Sequence, residues 1–368
     1  MINQVPGYRA GEVPGIIFFG AYDPTYPRNL IFRKGWQKLG LGFSECRVGT
    51  KRKVHTRYPL LLARFFTVRR RERAIFVPDF RHKDVPLARA LATISGRKLI
   101  FDPLVSRYET RVLDRGDVTA GSVQAWHNRN LDRISFMLSD VVIADTSEHA
   151  RFFRAGFGIR EDKLRIIPVG FDEDTFAIAP HRRKGDALEV LFYGSFLPLH
   201  GIETIIEAAS GLVGEPVHFR LVGEGQTYWD MRGLSDRLGL ENIDFLQSVP
   251  AEDLPRLLAE SDIVLGIFGT TQKASLVVPN KVYQALAVGR AVVTADTPAI
   301  REFFRGGEHL LTVPQGDPRA LVDAIRALGA DESLRMRLAE SGGRHVRENY
   351  NSVRIAGQLA RVVKETTN

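Results

Sequence analysis

A single cysteine, Cys46, in 368 residues excludes an intrachain disulfide, and no Cys/His cluster has the spacing of a zinc site. No apolar run approaches the ~20 residues that a bilayer-spanning helix needs. The first fifteen residues are mixed and polar, without the apolar centre of a signal peptide. A cytoplasmic setting is therefore the expectation. Neither a fixed-period repeat nor a low-complexity tract is present, which excludes solenoids and disordered arrays. The three-glycine dinucleotide fingerprint follows none of the strand-like runs, which argues against a nicotinamide dehydrogenase.

What the chain does have is a globular composition, 44% hydrophobic and 26% charged, over a length that suits two cores. Its net charge of +8 is unevenly placed: residues 1–175 hold 30 Lys/Arg against 19 Asp/Glu, and the rest 21 against 24. Within Arg47–Arg73 ten basic residues meet one acid, Glu72, around the apolar run Tyr58–Phe66. A basic amphipathic helix of this kind can lie on an anionic membrane surface. A buried helix with a solvated basic tail fits equally well. Nucleic-acid binding ranks lowest, because no DNA- or RNA-binding motif accompanies the charge.

Short β-rich runs alternate with helical patterns, the signature of parallel sheets with crossover helices. In the first half, strands are expected at Gly15–Gly20, Phe43–Val48, Ala74–Pro78, Lys98–Asp102, Val141–Ala144 and Ile166–Gly170. After a polar hinge at Pro180–Asp186 the pattern restarts, with strands at Leu188–Gly194, Val217–Val222, Ile243–Leu246, Ile263–Gly266, Ala291–Thr294 and Leu310–Val313. The last helices, near Pro318–Leu328, Ser333–Val346 and Ser352–Lys364, are charged and amphipathic. In doubly wound sheets ligands bind beyond the carboxyl ends of the strands, so an interdomain cleft is the expected active site.

Val278–Thr294 is the most informative stretch. It reads as a loop, a short helix opened by Pro279, a Gly289 stop and a buried strand. One side of the helix is small (Ala285, Ala287), and its start at Asn280–Lys281 offers unpaired N–H groups to phosphate or ribose oxygens. An ordinary crossover helix is the plain alternative. The loop Gly194–Gly201 follows the first strand of the second half, and its glycines let the backbone approach an anion, with His200 adding a donor or a positive charge. It lacks the lysine and hydroxyl of a Walker loop. Gly223-Glu224-Gly225 is a second strand-end loop. In the first half Asp102 ends a strand, where a carboxylate can orient or deprotonate a hydroxyl, or cap a turn. His82 and His127 read as structural, and Asp172-Glu173-Asp174 as solvated surface rather than a metal site.

The runs VLFYGSFLPLHGIETIIEAA, FRLVGEG, LGLENIDFLQSVPAEDLPRLLAESDIVLGIF and VPNKVYQALAVGRAVVTADTPAIREFF resemble the donor-binding domain of family 4 retaining glycosyltransferases of the GT-B fold. IIPVGFDEDTF is similar to the strand that leads such enzymes from the first domain into the second. The resemblance implies two doubly wound, Rossmann-like α/β domains facing across a cleft: an acceptor-binding domain over 1–175, a donor-binding domain over 176–348, and a final helix over 349–368 returning to the first. It implies closure about 170–186 and 345–352. It also implies sugar transfer, with retention, from a nucleoside-diphosphate-sugar donor to an acceptor hydroxyl, with no cofactor and no metal; the basic stretch Arg47–Arg73 makes a glycan or lipid-linked acceptor at the inner face of a membrane the expectation.

Two departures from the family pattern stand out. Where many members carry an arginine and, five residues later, a lysine for the donor phosphates, this chain has Ser195 and His200. The ribose-holding glutamate falls at Gln284, and its partner eight residues before at Leu276. An amide still bonds ribose hydroxyls, because it both donates and accepts. Phosphate charge then falls to His200, Lys281, Lys273 and loop N–H groups. The expected site is thus Asp102, His200 and Lys281 for chemistry, with Gly194, Ser195, Gly201, Gly223, Glu224, Asn280 and Gln284 around the donor. The alternatives are a nucleotide-sugar epimerase of the same fold and a catalytically silent sugar-nucleotide-binding or membrane-docking homologue.

Overall fold

The computed structural model describes residues 13–68, 71–182 and 185–367, so Arg69 and Arg70 of the basic stretch and part of the Pro180–Asp186 hinge lie outside the described residues. The chain forms two units. One holds the residues up to Val112, then Gly116–Gly170, and those from Asn351 onward; the other holds Leu113–Arg115 and Phe171–Tyr350.

The first unit is built on β1 (Gly15–Gly20), β2 (Phe43–Arg47), β3 (Glu72–Val77), β4 (Lys98–Phe101), β5 (Val141–Ala144) and β6 (Leu164–Ile166), all parallel, in the order β2-β1-β3-β4-β5-β6. Runs such as Ile-Ile-Phe-Phe in β1 are buried on both faces, as a parallel sheet between helices requires. The helices Val54–Phe65, Val85–Ser95, Val123–Leu138 and Ser147–Phe157 close over one core, with Leu61, Leu91, Phe136 and Phe153. The helices Pro27–Lys38 and Ser352–Thr367 pack on each other. Their approach depends on Gly35, where a Cβ would lie 2.0 Å from the Ser352 carbonyl oxygen.

The second unit repeats the plan with β7 (Leu188–Tyr193), β8 (Val217–Val222), β9 (Ile243–Leu246), β10 (Ile263–Leu265), β11 (Ala291–Ala295) and β12 (Leu311–Val313), again parallel, in the order β12-β11-β10-β7-β8-β9. The strand order reverses between β7 and β10, which marks the ligand end of such a sheet. Both units are thus doubly wound α/β.

One expected strand is displaced, with β6 over Leu164–Ile166 instead of Ile166–Gly170. Ile167 still donates to the Ala144 carbonyl at 2.9 Å, but Pro168 has no N–H to continue the ladder and Gly170 turns at φ 73°, so β6 ends at Ile166. The basic helix Val54–Phe65 divides between its two readings. Leu61 and Phe65 are core, whereas Leu60, Leu62 and Phe66 are 39%, 42% and 73% exposed. Arg57 is buried too, paired with Asp84 at 2.6 Å. Among the described residues no helix is long and apolar enough to cross a membrane.

Candidate functional site

Three loops of the second unit meet at the carboxyl ends of β7, β8 and β10. They are held together backbone to backbone. Phe268 and Gly269 donate to the carbonyls of His200 and Leu199 at 3.0 and 3.2 Å, and Phe196 donates to that of Glu224 at 2.8 Å. Glycine is obligatory at these crossings. A Cβ on Gly223 would stand 2.0 Å from the Gly194 oxygen, and one on Gly201 2.3 Å from the Gly269 nitrogen. The glycines read from the sequence as room for an anion serve first to bring the loops into contact with one another.

The helix Asn280–Val288 starts beside them. Pro279 precedes it as the cap residue and Gly289 ends it at φ 86°, as the sequence indicates. Lys281 and Gln284, three residues apart, share a face. Lys281 is 5% exposed, and its Nζ has no hydrogen-bond partner among the described residues. That Nζ lies 3.7 Å from the centre of the Phe192 ring, a cation–π contact. Burial pushes the ammonium pKa well below its ordinary value.

His200 sits across Gly194: a Cβ there would be 3.1 Å from Lys281 Nζ and 3.6 Å from His200 Cε1. The half-buried imidazole meets the edge of Phe192 and bonds through Nδ1 to the Ser195 carbonyl oxygen. A carbonyl only accepts, so Nδ1 carries the proton and Nε2 is the nitrogen left to titrate. Desolvation, reinforced by Lys281, holds its pKa well below the usual histidine value. Gln284, 7% exposed, accepts from the Tyr193 hydroxyl at 2.9 Å.

Gly194, His200, Lys281 and Gln284 are therefore one cluster, with Ser195 and Glu224 exposed on its loops and Asn280 half-buried at the helix start. Leu276 and Lys273 are buried on the helix Gln272–Leu276. Sequence reasoning passed over Phe192 and Tyr193, since aromatic residues in a strand read as core. Asp102 is a correction. It is 0% exposed inside the first unit, 2.6 Å from Arg28 Nε, while the other guanidinium nitrogens of Arg28 donate to the carbonyls of Ile167 and Pro168. Burial raises its pKa against the pull of Arg28. It is an interior counter-ion, not a group presented to a hydroxyl.

The other groups considered are also structural. His82 is fully buried, 3.3 Å from Asp132, with its pKa pushed down to about 3 by burial. Asp172 accepts from Thr175 in a buried turn rather than lying on solvated surface. A cavity of about 470 Å³ lies at the opposite, amino-terminal end of β10 and β11. There Arg290, Arg335 and Arg347 donate to the carbonyls of Ala179, Leu328 and Ala287, so loop and helix-end capping accounts for them. Among the described residues no group of three or more His, Cys, Asp or Glu is placed to hold a metal ion.

Comparison with known proteins brings out likenesses of the second unit and of the fold as a whole. Residues 187–331 match the profile of Glycosyl transferases group 1. The phosphatidyl-myo-inositol mannosyltransferase of Mycobacterium leprae is 28% identical over 273 residues, 71% of this chain and 66% of that protein. The lipopolysaccharide core biosynthesis glycosyltransferase LpsE of Rhizobium meliloti is 31% identical over 157 residues, 43% of this chain and 44% of its own length. Among solved structures, Anabaena HepE in complex with UDP superposes with a TM-score of 0.70 at 16% identity, covering 95% of this chain and 100% of that one. Sucrose-phosphate synthase from Thermosynechococcus elongatus reaches 0.72 at 16% identity, covering 96% and 98%.

Proposed function

We propose, from the match of residues 187–331 to Glycosyl transferases group 1 and from the two-unit fold shared with HepE, that this chain is a retaining hexosyltransferase of the GT-B fold, acting in cell-surface glycan or glycolipid synthesis. The donor is a nucleoside-diphosphate sugar, bound at the loops after β7, β8 and β10. One observation carries this: the ammonium of Lys281, buried and without a hydrogen-bond partner among the described residues, at the strand-order reversal of the second sheet. A buried cation is costly unless an anion meets it, and a diphosphate supplies one. In the reaction the diphosphate leaves with the bonding pair. Lys281 and the loop amides stabilise the charge that develops on it, and His200 joins them once the phosphate draws a proton onto Nε2. This reading needs no metal. The acceptor hydroxyl attacks from the face the diphosphate vacates and passes its proton to the departing phosphate oxygen, which gives retention. The acceptor is glycan or lipid-linked, and Arg47–Arg73 holds the first unit against an anionic membrane at its inner face.

Calorimetric titration with UDP, GDP and dTDP, followed by transfer assays with the matching sugars in EDTA, tests the donor assignment. One nucleotide should bind and its sugar should be turned over with EDTA present. Failure of all three to bind would end the reading.

A further inference from the structure

β7 ends in Phe192-Tyr193, and successive side chains of a strand point to opposite faces of the sheet. Both rings nevertheless reach the first turns of the helix Asn280–Val288: Phe192 under the Lys281 ammonium, Tyr193 against Gln284. The Tyr193 hydroxyl, buried with its residue 6% exposed, has one hydrogen and two acceptors in reach. These are Gln284 Oε1 at 2.9 Å and the Lys281 carbonyl at 3.5 Å, so the hydrogen goes to Gln284. With Oε1 occupied, the Gln284 amide NH2 has no partner among the described residues.

We propose that Tyr193 is a positioning residue, which fixes the Gln284 amide so that its NH2 donates to an oxygen of the bound nucleotide. A carboxylate at this position would only accept. Here the site offers a hydrogen-bond donor, and the chemistry that answers it is an oxygen with a free lone pair, a ribose hydroxyl or a phosphate oxygen. The inference rests on the donor site lying in the second unit, and it extends that reading to the polarity of one contact. Tyr193 acts through Gln284 and touches no substrate atom.

A double-mutant cycle on nucleotide affinity tests this, using whichever of UDP, GDP or dTDP binds best. Tyr193→Phe removes one oxygen and keeps the ring, so the fold is retained and thermal melting reads any general loss. Tyr193→Phe and Gln284→Ala should each weaken binding about tenfold, with the double variant no weaker than Gln284→Ala alone. Transfer with Tyr193→Phe should show a raised donor KM and a nearly unchanged kcat. If Tyr193→Phe binds as the parent does, or adds its full loss to that of Gln284→Ala, the positioning role is wrong. If Gln284→Ala and Lys281→Met both bind as the parent does, the donor-site reading itself has failed. Repeating the cycle with the nucleotide stripped of its ribose hydroxyls (2′,3′-dideoxy for UDP or GDP, 3′-deoxy for dTDP) separates the two oxygens. Loss of the Gln284 effect assigns the contact to ribose, and its persistence assigns it to phosphate.

Discussion

Lys281 pays a folding cost that only a ligand repays. Its ammonium has a ring face and no hydrogen-bond acceptor. Lys281→Met fills the same space without charge, so the variant should melt higher than the parent, by about 1–3 kcal/mol of relieved desolvation. Its turnover should fall about 10²–10³-fold, the usual effect of losing one group that stabilises a leaving charge. A variant that melts lower and transfers sugar at the parent rate would show that Lys281 is a packing residue. The sequence marked this lysine because it follows Pro279 at a helix start. It gave no sign of Phe192 or Tyr193, which matter through contacts about 90 residues away along the chain. Asp102 misled for the same reason: a strand-end carboxylate looks available until Arg28, 74 residues earlier, is folded against it.

At the scale of elements, the helices Val54–Phe65, Val85–Ser95 and Val123–Leu138 form one layer of the first unit, and their only acid, Asp132, is 0% exposed. Outward they show Leu60, Leu62, Ile94, Trp126, Ile134 and Met137, together with Arg64, Arg129 and Arg133. That combination suits an anionic interface, each engaged cation adding about 1 kcal/mol. The protein should float with phosphatidylglycerol vesicles at low salt, and the Arg52→Glu, Lys53→Glu, Arg71→Glu variant should not. Parent protein that stays unbound would leave a soluble acceptor as the better reading. Elements bounded by clear punctuation were legible in the sequence, as Pro279 and Gly289 frame their helix. Ile166–Gly170 was not, since an apolar β-branched run carries the strand signal and the single missing N–H of Pro168 decides where pairing stops.

Across the whole molecule, two separate cores should give two melting transitions that respond to different variables. A bound nucleotide stabilises only the unit that holds it, by about 2.7 kcal/mol at one hundred times its Kd. pH should act on the other. His149 is fully buried in the first unit between Asp145 at 2.7 Å and Glu109 at 3.1 Å. Burial alone would strip its proton, but the two carboxylates outweigh it and lift the pKa from 6.5 to about 10. A raised pKa means the folded state holds the proton more tightly. The stabilisation is therefore full below about pH 6.5 and is lost as pH rises toward 10. Scanning calorimetry should show one transition moving up with nucleotide and the other moving down from pH 7 to 10, with His149→Gln flattening the second response. A single transition that follows both variables would mean the units melt together.

The first unit is also discontinuous, because the helix Ser352–Thr367 completes it after the entire second unit has been made. On the ribosome, where amino-terminal domains ordinarily fold first, the order is turned round. Phe171–Tyr350 emerges as a finished unit while its predecessor still lacks the helix that packs against Pro27–Lys38. Until synthesis passes Ser352–Thr367, the apolar surface that this helix covers stands open, so the nascent chain should need chaperone cover up to that point.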